Sequence, residues 1–560
     1  MARKPAKDNK TTSKANSKVK SFEQTLWATA DKLRGSVESS EYKHVVLSLI
    51  FLKFISDKFA ERKQQLEAEG NGAYTDIVEF YTMANTFYLP EDARWDFIAK
   101  NAKQDDIAVK IDTALHTVEK NNKALRGALP DNYFSRLGLD ASKLAALIDA
   151  INNIDTIVGE EGSASEEDIV GRVYEYFLGN FAATEGKGGG EFYTPKCVVN
   201  LLAEMIEPYH GKIYDPCCGS GGMFVQSVKF VENHQGNKKD ISIYGQEQTS
   251  TTYKLAKMNL AIRGISANLG DVPADTFFKD QHPDLKADFI IANPPFNLKE
   301  WRGADELTND PRWAGYETPP TGNANYGWIL HMISKLSDNG VAGFVLANGS
   351  MSTNTKGEGE IRKQIIENDL VDCMIALPGQ LFYTTQIPVC LWFLTKNKKA
   401  QTFSDGRKQH RNREGETLFI DARNMGSMTS RIHKELTADD IAEIAQTYHL
   451  WRGEPVTESP AYATAKDGGS ADNAGAIIRQ SGEYKDVAGF CRSASLDDIK
   501  ANDYVLTPGR YVGAAEIEDD GELFEEKMQQ LTQTLFQQMR DAQELDAVIK
   551  QNLKGLGYGE

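Results

Sequence analysis

The apolar positions of this chain follow two rhythms. From Phe22 to about Ile157 they recur every three or four residues: Leu26, Ala30, Leu33 and Val37, then Val45, Leu49, Leu52 and Ile55 after a Ser39-Ser40 break, and later Leu144, Leu147 and Ile151. That is the period of amphipathic helices. The pattern predicts a helical N-terminal domain over 21–157, with loops near Gly70–Gly72 and Pro130–Asn132. A turn cluster at Gly159–Ser165, a helix at Glu166–Phe181 and a glycine-rich stretch at Glu185–Gly190 follow. Then the rhythm changes. Short apolar runs at Lys212–Tyr214, Ile241–Tyr244, Phe289–Ala292, Ala342–Leu346, Asp372–Ala376, Val389–Thr395 and Thr417–Ile420 are mostly separated by helical stretches. Such alternation implies an α/β fold with a mostly parallel, doubly wound sheet, placed over 166–425.

The ends differ from both. Residues 1–20 carry six Lys and one Arg against one Asp and have no aromatic, so they read as a disordered basic tail. Residues 426–515 form a mixed region in which 453–485, rich in Ala, Gly, Ser, Thr and Pro, resemble a linker. Residues 516–556 return to helix. There Phe524, Met528, Leu531, Leu535 and Met539 step by three or four, a heptad-like seam that suits a partner helix.

The composition of the 560 residues is ordinary, with 41% hydrophobic and 26% charged residues. The net charge of -17 argues against coating nucleic acid by bulk positive charge, but the charge is segregated. The first twenty residues are basic, and Glu516–Asp546 hold ten acidic and two basic residues. Six cysteines (197, 217, 218, 373, 390, 491) form no disulfide framework and fit a reducing cytoplasm. No Cys or His grouping has zinc spacing, so no metal is expected. The apolar run Val45–Ile55 contains Ser48 and Lys53 and is too short to span a bilayer. There is no Walker loop and no convincing nuclease set.

Three stretches carry chemistry. Asp215-Pro216-Cys217-Cys218-Gly219-Ser220-Gly221-Gly222-Met223-Phe224 follows a predicted strand and opens a predicted helix. Glycines there let the backbone approach a ligand closely. Phe224 stands where a dinucleotide fingerprint needs its third glycine. The next strand ends in Gly245-Gln246-Glu247, and Glu247 can accept from two ribose hydroxyls. A nucleoside site without a pyrophosphate suits S-adenosylmethionine; a plain tight turn is the structural alternative. Second, Asn293-Pro294-Pro295-Phe296 directly follows the strand Phe289–Ala292. Its prolines stop the sheet. The Asn293 side-chain oxygen and the Pro294 carbonyl can then accept from a planar amino group while Phe296 stacks on its ring, as a flipped base requires. Third, Glu191-Phe192-Tyr193-Thr194-Pro195-Lys196 reads mainly as a helix start with Thr194 as N-cap, its aromatic pair able to wall a pocket. The long stretch Lys299–Pro320, with Trp301, Arg302, Arg312 and Trp313, reads equally as an ordinary loop or as one that closes over a base or touches DNA backbone.

In this order the stretches resemble the γ-class amino-methyltransferases of DNA. The helical N-terminal region, Gly343–Gly349, Glu360-Ile361-Arg362, Asp503-Tyr504 and Pro508–Tyr511 are similar to the modification subunit of type I restriction–modification systems, and the resemblance covers about 22–550. Ala347 departs from the proline usual in that family. The resemblance implies a Rossmann-like methyltransferase that moves a methyl group from S-adenosylmethionine to the N6 amine of adenine in double-stranded DNA. It implies that Glu191, Phe192, Tyr193, Thr194, Pro195 and Lys196 bind the cofactor together with Gly219, Ser220, Gly221 and Gly222. Asp215 would lie near its amino group, Glu247 at the ribose and Asp271 at the cofactor's adenine amine. Asn293, Pro294, Pro295 and Phe296 would be catalytic. The implied partners are a specificity subunit, a second modification subunit and a restriction helicase–nuclease subunit. The absence of a strand-rich module after Asn293 independently favours recognition by a separate subunit. Two rival readings are a methyltransferase acting on protein glutamine or RNA, and a non-catalytic DNA clamp.

Overall fold

The computed structural model describes Trp27, residues 39–153, Tyr176, and residues 194–234, 236–382, 387–402, 409–430, 433–454, 483–514 and 524–555. The expected basic tail, the glycine-rich stretch, nearly all of the helix at 166–181 and most of the 453–485 linker lie outside them. The chain forms two compact units, Met1–Val512 and Gly513–Glu560.

The N-terminal part is helical. The 30-residue helix α1 (Ser39–Ala68) is its spine, and Val45, Leu49, Leu52 and Phe59 are buried along it. Ser39 begins this helix, so the Ser39-Ser40 break is a start. Around α1 pack α2 (Trp95–Asn101), α3 (Ile107–Asn121) and α4 (Ala141–Asn152). Polar groups inside are matched. Trp95 donates its indole N–H to Asn152 Oδ1 at 2.8 Å, and buried Asp112 accepts from the backbone N–H groups of Tyr133, Phe134 and Ser135 at 2.8–3.0 Å. A buried carboxylate held by several N–H groups escapes most of its desolvation cost.

The second part is a nine-stranded sheet: β1 (Gly211–Asp215), β2 (Ile241–Gly245), β3 (Ala267–Asn268), β4 (Ala287–Ala292), β5 (Leu336–Ala347), β6 (Val371–Ala376), β7 (Val389–Thr395), β8 (Glu416–Asp421) and β9 (Cys491–Ser495). Their spatial order is β9-β8-β6-β7-β5-β4-β1-β2-β3. The pairs β1–β2, β2–β3, β1–β4, β4–β5 and β6–β8 are parallel. β7 runs antiparallel between β5 and β6, and β9 runs antiparallel on the edge. β7 is buried at every position, which explains its unbroken apolar sequence. The sheet therefore extends beyond the expected limit at 425. α10 (Ala438–Arg452), capped by the Thr437–Asp440 capping box, also packs against α5 (Lys196–Ile206) near the site.

Two connections hold the parts together. α7 (Ser250–Ile262) gives Leu255, Met258 and Ile262 to the core of the helical domain, and Tyr253, Ala256 and Leu260 to the core beneath β1 and β2. Near the other edge, α9 (Glu358–Glu367) carries the buried Arg362, which donates to the Tyr504 carbonyl at 2.8 Å and to Asn354 Oδ1 at 2.9 Å. Tyr511 stacks on Phe419 of β8 at 3.8 Å. The Glu360–Arg362, Asp503-Tyr504 and Pro508–Tyr511 stretches are thus parts of one packing arrangement, which seats 503–511 against the sheet.

Candidate active site

β1 pairs with β2 on one side and β4 on the other, and the chain leaves the two strands in opposite directions across the sheet. A crevice opens at the carboxyl ends of strands at such a reversal. Asp215 ends β1 and Asn293 follows β4, so the two main sequence stretches meet there. The cleft is open to solvent, and its empty space out to the mouth is about 660 Å³. Its lining includes Thr194, Lys196, Asp215, Gly219, Ser220, Gly222 and Asn293.

The loop after β1 is held by backbone geometry. Gly219 and Gly221 have φ of 53° and 79°, in the left-handed region, and Gly221 leads into α6 (Gly222–Asn233). A Cβ on Gly219 or Gly222 would meet nothing within 4 Å, so the loop faces open space where a ligand can approach. Glu247 ties the loop to the end of β2: its carboxylate accepts from Gly219 N–H at 3.1 Å and Thr249 N–H at 2.7 Å.

Asp215 is 1% exposed, and its Oδ1 accepts from Cys217 N–H at 3.0 Å. No cationic side chain pairs with it among the described residues. Burial pushes its carboxyl up to about 7, opposed by the Cys217 hydrogen bonds and assisted by the nearby Glu247 charge. Burial also raises the Cys217 and Cys218 thiols well above their ordinary value, so these cysteines are neutral lining groups and not nucleophiles.

At the end of β4 the Pro294-Pro295 pair leaves the sheet. The Asn293 amide donates through Nδ2 to Thr194 Oγ1 at 2.9 Å. Its Oδ1 is buried and accepts no hydrogen bond among the described residues. The turn is anchored downstream: buried Asn325 accepts from Asn297 N–H at 3.0 Å and donates to Asn297 Oδ1 at 2.9 Å. The ring of Phe296 meets Phe382 edge-on at 5.9 Å between centroids.

Other expected site residues fall around this cleft. Pro195 is the N-cap of α5 and Lys196 its first residue; no side chain caps this helix, so Thr194 faces Asn293 in place of the expected capping role. Gly221 packs on Leu260. Asp271 is exposed and outside the cleft lining; its backbone N–H is held by Gln281 Oε1 at 3.0 Å. Glu191, Phe192 and Tyr193 lie outside the described residues. The loop 299–320 turns its large side chains inward. Trp301 donates to the Pro320 carbonyl, Arg302 to Pro319, and Trp313 to Leu307, while Arg312 forms a paired bridge to Asp310 at 2.6–2.7 Å. These four side chains brace the loop through bonds within it.

Several contributors had no local sequence signal. Asn259 in α7, also in the lining, donates to the Ser220 carbonyl at 2.7 Å. Gln246 holds the 274–281 segment by donating to the Ala274 and Lys279 carbonyls at 3.1 and 2.7 Å. Away from the cleft, Glu207, His449 and Glu454 bring metal-type ligand atoms within 4.8 Å of one another, a convergence invisible in their spacing. Arg452 lies 3.1 Å from Glu454, and His449 lies 3.0 Å from it. This carboxylate is paired with the Arg452 guanidinium and hydrogen-bonded to His449, so its charge is already met within the protein.

A doubly wound sheet with a glycine loop after β1 and an Asn-Pro-Pro-Phe turn after β4 defines the class: a Rossmann-like methyltransferase. Comparison with known proteins narrows it. Residues 165–520 match the N-6 DNA methylase family model and residues 22–153 the HsdM N-terminal domain. The chain is 48% identical over 486 residues to the HindI methylase subunit of Haemophilus influenzae, covering 84% of this chain and all of that one. It is 38% identical to the MjaIX methylase subunit of Methanocaldococcus jannaschii, covering 96% and 92%. The fold is similar to a type I restriction-modification methyltransferase subunit from Streptococcus thermophilus, with a TM-score of 0.66, 22% identity and coverage of 88% and 99%. The chain belongs to the N-6 DNA methylase family, as a methyltransferase subunit of the type I restriction–modification kind. It is an S-adenosylmethionine-dependent enzyme that methylates N6 of adenine in DNA.

The Asp215 carboxyl gives a pH prediction. The folded, ligand-free protein keeps this proton up to about pH 7, whereas an unfolded Asp loses it near pH 4, at about 3.9. The stability it contributes is full below the unfolded value and is lost as pH rises through about 7. Asp215→Asn removes that loss. Its melting temperature should therefore gain on wild type when ligand-free samples are moved from pH 5 to pH 8. An identical difference at both pH values would contradict the burial of an unpaired carboxyl.

Proposed function

We propose that Asn293 Oδ1 and the Pro294 carbonyl receive the two N–H groups of an adenine flipped from duplex DNA, with Phe296 stacked on the base and Pro295 fixing the turn. The observation that carries this reading is the buried Asn293 Oδ1 without a donor. Such an atom costs about 1–3 kcal/mol when left unsatisfied. An incoming amine removes that cost and is oriented by doing so. Two hydrogen bonds from the amine direct its lone pair along one line, and fixed geometry supplies much of the acceleration in a bimolecular transfer.

The cleft residues fit S-adenosylmethionine, which supplies an electrophilic methyl group when bound. Among the described residues no cation pairs with buried Asp215, and the cofactor's ammonium is one. Gly219 and Gly222 leave the space a ligand needs. In this reading Thr194, Pro195 and Lys196, with Glu191, Phe192 and Tyr193 before them, border its amino-acid end with Ser220 and Gly221. Glu247 takes the ribose hydroxyls and Asp271 the adenine amine.

Sequence recognition falls to a separate specificity subunit, working with a second copy of this chain and with a restriction helicase–nuclease subunit on double-stranded DNA. The tail helix α11 (Phe524–Gly555) supports this: Met528, Leu535 and Met539 of the expected seam are each about half exposed. No described helix is long and apolar enough to cross a membrane, and all six cysteines are free, in keeping with a cytoplasmic location.

Asn293→Ala should lower methylation of cognate duplex by at least ~10²-fold, the scale of losing one preorganised electrostatic contact, with cofactor binding retained. Loss of cofactor binding in a folded variant would show that the motif is misplaced. Deletion of residues 516–560 should weaken assembly with the specificity subunit on gel filtration; an unchanged complex would contradict the docking role of the tail.

A further inference from the structure

Thr194 sits at the position before the Pro195 N-cap of α5, and the helix has no side-chain cap. The Thr194 Oγ1 accepts from Asn293 Nδ2 at 2.9 Å, across 99 residues of sequence. We propose that Thr194 is the positioning residue that sets which end of the Asn293 amide faces the target base, and that it does so in step with cofactor binding.

This role rests on the assignment of Asn293 as an amine acceptor and adds a control to it. An Asn amide has an acceptor end and a donor end, and a half-turn about its last bond exchanges them. The N6 amine offers N–H groups, so only Oδ1 can receive it; Nδ2 turned outward would set N–H against N–H. Holding Nδ2 back is therefore equivalent to presenting Oδ1. A threonine hydroxyl alone is ambiguous, because it can donate to one end of the amide or accept from the other. It becomes purely an acceptor once its proton is engaged elsewhere. Thr194 and Asn293 both line the cleft that holds Asp215, Ser220 and Gly222. A cofactor in that cleft brings acceptor oxygens of its own, and one that takes the Thr194 proton leaves only the orientation seen here. The amide is then set for the base when the methyl donor is present.

The test uses the complex of this chain with its specificity subunit and a duplex carrying the mapped methylation site. Two quantities are measured: kcat at saturating S-adenosylmethionine, and the tightening of duplex binding caused by S-adenosylhomocysteine. The second is repeated with the target adenine replaced by purine, which lacks the amine. In wild type the tightening is expected to be larger for adenine than for purine. Thr194→Val should lower kcat by about 10–100-fold and abolish that difference. Thr194→Ser, which keeps the hydroxyl, should stay within about threefold of wild type on both, the scale of a preserved hydrogen bond. A Thr194→Val enzyme with wild-type kcat at saturating cofactor, or with the adenine-specific tightening intact, would reduce Thr194 to a cofactor contact and overturn the proposal. So would a Thr194→Ser enzyme as impaired as Thr194→Val. Asn293→Ala separates this from the underlying reading: an inactive Asn293→Ala beside an unaffected Thr194→Val defeats only the positioning role, whereas an active Asn293→Ala defeats both.

Discussion

The reversal of strand order between β1 and β4 is the constraint on which the rest depends. It leaves one place where the carboxyl ends of two neighbouring central strands open into a crevice. The chain places its costly groups there. Asp215 ends one strand with a buried, unpaired carboxyl, and Asn293 follows the other with a buried, unmatched oxygen. Asp112 and Arg362 are closely satisfied, whereas Ser48 Oγ, Trp328 Nε1 and Asn348 Oδ1 also lack partners among the described residues. In the proposed reading Asp215 receives a cation at one strand end and Asn293 an amine at the other.

The surrounding architecture keeps these two points in register. Glu247 ties the glycine loop to β2, Asn259 ties it to α7, and Asn325 clamps the turn after the Asn-Pro-Pro-Phe sequence. Because α7 shares its apolar face with the helical domain, that domain is structurally continuous with the glycine loop after β1. The braced 299–320 loop likewise contributes stiffness close to the Asn-Pro-Pro-Phe turn. The segment containing Tyr504 and Tyr511 seats the far edge of the sheet.

Much of this was legible in the sequence, for physical reasons. β7 is buried at all seven positions, so its run of apolar residues fell exactly on its boundaries. β1, β2 and β4 are short apolar runs that give way to turn chemistry at Asp215, Gly245 and Asn293. β9 carries no strand signal because it is a short edge strand with a polar Cys-Arg-Ser-Ala-Ser sequence. The 299–320 loop was ambiguous because Arg and Trp look alike in sequence whether they meet DNA or brace a loop through carbonyls. Thr194 was read as a cap because its neighbour is proline; only the fold brings Asn293 to its hydroxyl. Asn259, Gln246 and Asn325 act on groups distant in sequence, so no local pattern could reveal them.

Segregated charge now suits a subunit that shares its recognition with partners, with an acidic, apolar-seamed tail at one end and basic residues at the other. The atom that receives the methyl group is most directly read by nucleoside mass spectrometry after the assembled complex has acted on unmethylated cognate duplex with S-adenosylmethionine bearing a deuterated methyl group. The expected result is the intact deuterated methyl on N6 of adenine and on no other nucleoside. Label on cytosine, or on protein with none on adenine, would contradict it.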